Sequence, residues 1–320
     1  MSSPNKKINL LKLEPLFVER IWGGTWLKEE YGYKIDKPNI GECWAISAHP
    51  SGDCKIASGY YHGWTLSQIY EQRRDLFADD SHNKFPLMVK LIDAKDDLSI
   101  QVHPDDRYAR LHEGQSGKSE AWIILHTLPN ARIQIGHTAM TRDELCELVK
   151  AGKWDQLLKY RPLKEGEVFD IKSGTLHAIC KGTSLIEIQQ SSDLTYRVYD
   201  YDRVDHDGLK RPLHIDKALD VIAIPQQDKP IRYLPLNRKK NILFNVLSND
   251  YFAIQALDVD GKYTFVNRDR NYFLVTILEG QGKIGGRQFK KGESIILTSR
   301  FSRMTFQGKM RLVLANPKKF

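Results

Sequence analysis

Cysteine is scarce in this 320-residue chain, and the four present (Cys43, Cys54, Cys146 and Cys180) are scattered with no Cys-x-x-Cys pair. That spacing excludes a disulfide scaffold and makes a reduced, cytoplasmic protein the expectation. No run of 18 apolar residues occurs, so no membrane-spanning segment is expected. The N-terminus, from Met1 to Lys7, leads into only a short apolar stretch without a small-residue cleavage site, and no signal peptide is expected. Charge of one sign is nowhere concentrated. Lys and Arg number 48 against 40 Asp and Glu, a net charge of +8, yet the dense basic clusters are as short as Arg238-Lys239-Lys240. No aromatic residues interleave with them, which argues against nucleic acid and for a small anion such as a phosphorylated metabolite. Histidine, cysteine and tryptophan also run out early: none follows His214, Cys180 or Trp154 respectively.

What is present is ordinary globular material, 41% apolar, 28% charged and 10% aromatic, at a length that suits two domains or one large one. Short alternating runs between Gly, Asn and Asp turns predict strands over 85–92, 98–102, 121–126, 131–135, 184–189 and 196–199. Two segments predict helices: 65–77, opening on a Thr cap, and 141–151, where Thr141 and Glu144 have capping-box spacing; a short helix follows through Trp154 and Leu158. The tail from about residue 241 is again strand-rich, with turns expected at Asp260-Gly261 and Gly285-Gly286. Lys164-Glu165-Gly166 with the following 167–171 is echoed by Lys290-Lys291-Gly292 with 293–297, which suggests two β-barrels of one kind or, alternatively, two unrelated hairpins.

The chemistry concentrates in three places. In the strand 98–103, Leu98, Ile100 and Val102 share one face, and Ser99, Gln101 and His103 share the other. Such a polar face is either the wall of a metal or substrate site or a solvent-facing edge. Glu120 opens an apolar strand, and His177 follows the Gly174 turn. Two imidazoles, a carboxylate and a neutral amide suit Zn²⁺ or a similar divalent ion, and a sulfur-free set is typical of catalytic zinc. Further on, Glu187 and Gln189 share a face between apolar neighbours, and Arg197 and Arg203 bracket 198–202. Glu187 is either a general base with a raised pKa or a salt-bridged structural residue; the arginines are either site cations or partners of Asp200 and Asp202.

Six segments carry a resemblance: GGTWLKEEYGY (23–33), GECWAISAHPSG (41–52), LSIQVHPDD (98–106), GKSEAWIIL (117–125), GTLHAI (174–179) and QQSSDLTYRVYDYDR (189–203). Together they resemble the type I mannose-6-phosphate isomerases, in their short bacterial form, within the cupin superfamily. The resemblance covers essentially the whole chain. It implies an all-β fold with helical decorations: a cupin-type jelly-roll barrel with helical segments over 1–240, then a smaller metal-free cupin-like β-sandwich over 241–320. It implies one divalent ion per chain, most simply Zn²⁺, on Gln101, His103, Glu120 and His177, with Gln101 the weakest donor. It implies isomerisation of a phosphorylated hexose through an enediol-type intermediate, with Glu187, Arg197 and Lys118 as catalytic residues. Ser99, Lys90, Asp193 and Arg203 are then the substrate contacts, with Arg203, Lys90 and Ser99 as the anion site. No membrane, nucleic acid or obligate protein partner is expected. Lys172 departs from the usual cupin proline before the second-motif glycine. The remaining histidines (49, 62, 82, 112, 126, 137, 206 and 214) fit turns and solvated surfaces as well as sites. In the tail, the position that echoes His177 is Arg303, eleven residues after Gly292 as His177 is after Gly166, so one metal site is expected.

Overall fold

The computed structural model describes residues 8–205, 207–227, 230, 232–234 and 239–318; His206 and Arg238, singled out above, lie outside them. Among the described residues three large antiparallel sheets account for the fold, and the helices are short decorations. The first sheet runs Arg232–Tyr233, Glu167–Ile171, Glu120–Thr127, Thr183–Gln190, Leu87–Ala94, then Leu16–Gly24 and Ile40–Ile46. The second runs Leu158–Pro162, Arg132–His137, His177–Ile179, Ile100–Val102, Tyr196–Tyr199. The two face each other as the walls of a cupin-like sandwich rather than a closed barrel. The third is built on the paired fifteen-residue strands Phe252–Val266 and Arg303–Pro317.

The first sheet is covered on both sides, and its residues sort accordingly. Leu87–Ala94 and Thr183–Gln190 are buried at every position. Val89, Leu91, Ile186, Ile188, Ala121 and Ile123 point outward into a core shared with Ile254, Ala256, Leu274, Ile296 and Val313 of the third sheet. Ile92, Leu185, Trp122, Ile124 and Phe169 point inward toward the second sheet. The third sheet likewise keeps a core of its own, with Val275, Ile277, Ile295, Leu297, Phe306 and Leu312. This is the filled interior that the alternation over 273–278 and 294–297 predicts. Leu10–Lys12 joins the third sheet beside Ser294–Leu297 although it starts the described chain.

Most predicted strands appear within a residue or two, and Tyr196–Tyr199 coincides. The helix predicted over 65–77 is Leu66–Gln72 with a 3₁₀ turn Arg74–Phe77, and Thr65 and Gln68 form a reciprocal capping box. Arg142–Lys150 is capped by Thr141, which accepts from Glu144 N at 3.2 Å. The Glu144 carboxylate reaches back to Met140 N at 2.8 Å, one residue before the expected partner. Trp26–Tyr31, Asp106–Glu113 and Ile215–Val221 are helices without a counterpart in the sequence reading.

One expected turn is not a turn. Asp260 and Gly261 run straight through Phe252–Val266, and Gly261 pairs with Gly308, which in turn pairs with Gly282. These three glycines form a row across three strands that pass close together: a Cβ on Gly282 would stand 2.3 Å from Gln307 O. Gly285-Gly286 is the expected turn, with both φ positive. The Lys-x-Gly-Glu echo is the same turn twice. Lys164 N donates to Glu167 Oε2 at 3.1 Å and Lys290 N to Glu293 Oε2 at 2.9 Å, each around a glycine with positive φ.

Candidate active site

Strand register assembles the site between the two walls. On the second sheet His177 pairs with Gln101, and Gln101 with Arg197. On the first sheet Trp44, Lys90, Glu187, Trp122 and Phe169 stand in one row across five strands, and Glu120 pairs with Gln189 in the next. Because side chains alternate, this sheet turns Lys90, Glu187 and Glu120 toward the second sheet and its apolar neighbours away from it.

His103, Glu120 and His177 converge. Their ligand atoms lie within 4.8 Å of one another, and all three residues are buried. His103 Nε2 is 3.5 Å and His177 Nε2 3.3 Å from the Glu120 carboxylate. The Nδ1 of His103 lies 2.7 Å from Leu194 O and that of His177 2.8 Å from Thr175 O. A carbonyl can only accept, so each Nδ1 carries the proton and each Nε2 presents a lone pair. Both Glu120 oxygens are buried and accept no aligned hydrogen bond, although Lys118 Nζ stands 2.9 Å from Oε2. Two imidazole lone pairs and a carboxylate without aligned donors, fixed by carbonyls behind them, are the donor set of a divalent-metal site. Gln101 turns its amide nitrogen to His177 Nε2 at 3.5 Å and its oxygen toward Ser99 Oγ at 3.4 Å.

The electrostatics are tightly balanced. Burial and the adjacent Lys118 push the His103 imidazole well below its ordinary value, so it is neutral. Burial opposes charge on Glu120 and on Lys118. Lys118 nevertheless holds the Glu120 carboxyl well down, and Glu120, Glu187 and Asp193 hold the Lys118 ammonium up. Glu187 goes the other way: burial and the Glu120 charge raise its carboxyl despite Lys118 and Lys90. Its Oε2 accepts from Trp122 Nε1 at 2.9 Å, and Oε1 is 3.7 Å from Lys90 Nζ. On the other side of Lys90 lies Glu42, 3.9 Å away, which accepts from Trp44 Nε1 at 2.7 Å and Arg20 Nη2 at 3.1 Å. Burial disfavours the Glu42 carboxylate, but Lys90 and Arg20 bring it to about 2.

A cleft of about 420 Å³ opens from this row to solvent, lined among others by Lys90, Ser99, Gln101, Lys118, Glu187 and Arg197. Asp193 lines its mouth and is exposed; it does not orient Arg197, whose Nε donates to Ser99 Oγ at 3.3 Å and Nη1 to Pro212 O at 2.8 Å. Arg203 is not among the lining residues. It is held by Asp200, at 2.6 Å, and by the Asp97 carbonyl. Asp202 pairs instead with Lys210. Leu98 turns to the cleft, away from Ile100 and Val102. His214, set aside in the sequence, accepts from Arg197 N at 3.2 Å and so fixes that strand.

The sequence reading missed Arg20, Glu42, Trp44, Trp122 and Arg211. Glu42 and Trp44 share the face of one strand, and Trp122 follows Glu120 by two. Period-2 counting would therefore have found these three, but nothing local marks Arg20 or Arg211.

Comparisons with known proteins fit this geometry. Residues 10–120 match the family described as phosphomannose isomerase type I, catalytic domain, and 242–317 match the mannose-6-phosphate isomerase cupin domain. The chain is 42% identical over 313 residues to a probable mannose-6-phosphate isomerase of Bacillus subtilis (strain 168), covering 96% of this chain and 99% of that one. It is 40% identical to a mannose-6-phosphate isomerase of Streptococcus mutans, covering 95% and 98%. Its fold superimposes on the crystal structure of a mannose 6-phosphate isomerase from Bacillus subtilis with a TM-score of 0.91 at 39% identity, over 96% of this chain and 99% of that one.

Proposed function

The chain belongs to the type I mannose-6-phosphate isomerases, and from that premise we propose a metal-dependent proton transfer between C1 and C2 that interconverts D-mannose 6-phosphate and D-fructose 6-phosphate. The observation that carries the mechanism is a buried, raised carboxylate, Glu187, placed beside the converged His103–Glu120–His177 trio. His103, Glu120 and His177 would hold the ion, with Gln101 as a neutral fourth donor; two imidazoles and a carboxylate favour Zn²⁺. When bound, the ion supplies a Lewis acid for a sugar oxygen.

The chain's own residues do the rest. Glu187 takes the proton from C2 of the open-chain aldose, leaving an enediol-type intermediate, and returns it to C1. Trp122 holds Oε2, and Lys90 flanks Oε1 without a hydrogen bond, which leaves that oxygen as the one that carries the proton. A carboxyl raised toward neutrality gives up a proton as readily as it takes one. The Lys118 ammonium donates to the oxyanion that develops on O1 as C2 loses its proton, and the O2 hydroxyl proton returns to Lys118 as C1 is protonated and the C2 carbonyl forms. Arg197, pinned at Nε and Nη1, presents its remaining edge to the substrate. We assign the cupin-type half to residues 1–240 and the C-terminal sandwich, without a metal of its own, to 241–320.

A substrate panel on metal-loaded protein tests this reading. Mannose 6-phosphate is expected to be isomerised and free mannose to be far slower, because a phosphate held by charge-assisted hydrogen bonds contributes binding energy that the transition state can use. Equal kcat/KM on the two sugars, or no turnover of the phosphorylated one, refutes it.

A further inference from the structure

We propose that the terminal phosphate of the substrate is gripped across the mouth of the cleft by Arg211 and Arg197 from one wall and Arg20 from the other. The proposal rests on the isomerase reading for the identity of the sugar, but not for the clamp itself.

The first argument is direction. Arg197, Gln101 and His177 stand opposite one another on three adjacent strands. Two inter-strand steps separate His177 from Arg197, about 10 Å, and one separates Gln101 from it. A six-carbon chain whose C1 and C2 lie at the trio reaches its terminal phosphate at that edge. Arg20 belongs to the edge strand of the facing sheet, and Arg20, Arg197 and Arg211 all line the cleft.

The second is hydrogen-bond bookkeeping. Every nitrogen of Arg203 is already engaged: Nη2 with Asp200 Oδ1, Nη1 with Asp97 O and Nε with Asp200 O. Arg211 is clamped on the same carboxylate through Nε at 2.8 Å and Nη2 at 2.5 Å. Among the described residues its Nη1 makes no hydrogen bond, nor do Arg197 Nη2 and Arg20 Nη1. Asp200 is 5% exposed and serves Arg203 and Arg211 together, so it aims Arg211 at the cleft while neutralising one of the two charges.

The third is charge. Arg197 forms no ion pair among the described residues; burial, then Arg211, disfavour its guanidinium, with Arg203 and Arg20 adding to this and Asp200 opposing it. Arg197 is therefore the cation at the mouth without a carboxylate of its own, Arg20 being paired with Glu42 and Arg211 with Asp200, and a phosphate monoester carries about −1.5 to −2 near neutrality. Deeper in, Lys90 is already bracketed by Glu42 and Glu187, so it offers a second anion much less.

Arg211→Gln tests the clamp, with inorganic phosphate as the probe alongside the substrate. KM for mannose 6-phosphate and the inhibition constant of inorganic phosphate are both expected to rise about 10- to 100-fold, the worth of one charge-assisted hydrogen bond, with kcat little changed. Lys210→Gln removes a cation from the same loop, where Lys210 pairs only with the exposed Asp202, and should leave both constants unchanged. Since Arg211→Gln disturbs Asp200, Arg20→Gln on the opposite wall is the second variant and should show the same rise in the phosphate constant with its circular dichroism spectrum retained. Unchanged phosphate affinity in both variants overturns the clamp, as does a loss of affinity carried by Arg203→Gln instead. Protein that binds phosphate through Arg211 yet leaves mannose 6-phosphate untouched upholds the clamp and sinks the isomerase reading.

Discussion

Glu187→Gln separates catalysis from stability, because the structure predicts opposite signs for the two. The amide is isosteric with the carboxylate. Its oxygen can keep the 2.9 Å bond from Trp122 Nε1, and Lys90 retains Glu42 at 3.9 Å. What disappears is the group that accepts the proton, so kcat should fall by roughly 10²–10⁴. Stability should move the other way. The carboxyl of Glu187 is raised by burial and by Glu120, against the pull of Lys118 and Lys90; at 3.7 Å, Lys90 alone attracts the carboxylate by about 4 kcal/mol at an effective dielectric constant of 20. That this attraction does not prevail means the surroundings as a whole disfavour the ionised form. A carboxyl whose folded pKa lies above its unfolded one contributes stability below the unfolded pKa and loses it as pH rises through the folded pKa. Near neutrality the wild type therefore carries a destabilising charge that the glutamine lacks. Melts in chelator at pH 4.5 and 7.5, beside a coupled kinetic assay, read both effects. The variant should melt at or above the wild type at pH 7.5 and lose that advantage at pH 4.5. Near-normal turnover would move the base elsewhere, with Lys118 and Asp193 next. A variant that melts well below the wild type at pH 7.5 would show Glu187 to be a structural ion-pair member, the alternative that the sequence leaves open.

Two further outcomes follow from the same row. Elemental analysis should find one divalent ion per chain, lost with activity on chelation, restored by Zn²⁺, and absent from His177→Ala; Gln101→Ala should be milder, since a neutral amide oxygen donates weakly and that amide presently faces His177 with its nitrogen. Full activity in metal-free protein, or an ion retained in His177→Ala, would overturn this. Glu42, held at about 2 against an ordinary 4.5, should contribute up to about 3 kcal/mol above pH 4.5. That contribution is lost as pH falls toward 2, so Glu42→Gln should weaken the acid-unfolding transition in that window, followed by tryptophan fluorescence. Parallel acid titrations of variant and wild type would show that Lys90 and Arg20 do not stabilise it.

The metal trio was readable because each member sits in a local pattern: His103 closes a polar face, Glu120 opens a strand, and His177 follows a glycine turn. The cleft mouth was not, because it is assembled by register. Arg20 and Glu42 meet only across the pairing of Leu16–Gly24 with Ile40–Ile46, and Arg211 meets Asp200 only through the fold of the connection between them. Local signals were also overlooked where they existed. Asp105 caps Asp106–Glu113 by accepting from Tyr108 N at 2.8 Å, and Gly114 closes that helix with positive φ; both are start and stop marks that a search for strands passed over. Asp260-Gly261 misled in the opposite sense. The dipeptide is a strong hairpin signal, but here the glycine lies inside a fifteen-residue strand whose partner supplies Gly308 at the same point.

A subtler limit lies in the central strands. Thr183–Gln190 and Leu87–Ala94 read as buried throughout, and their outward faces are uniformly apolar in the middle, as the shared core with the third sheet requires. Their inward faces are not uniform along the strand. Ile92 and Leu185 at one end belong to an apolar cluster with Ile124, whereas Lys90, Glu187 and Gln189 toward the other end line up beside Glu120. The sandwich is thus divided along its strands into a packed end, which fixes the register, and a polar end, which that register assembles into a site. Periodicity reports which face a residue takes but not which end of that face is wet. The functional half therefore had to be recognised by its charged residues, which would be costly in an apolar core and are here satisfied by one another and by two indole donors.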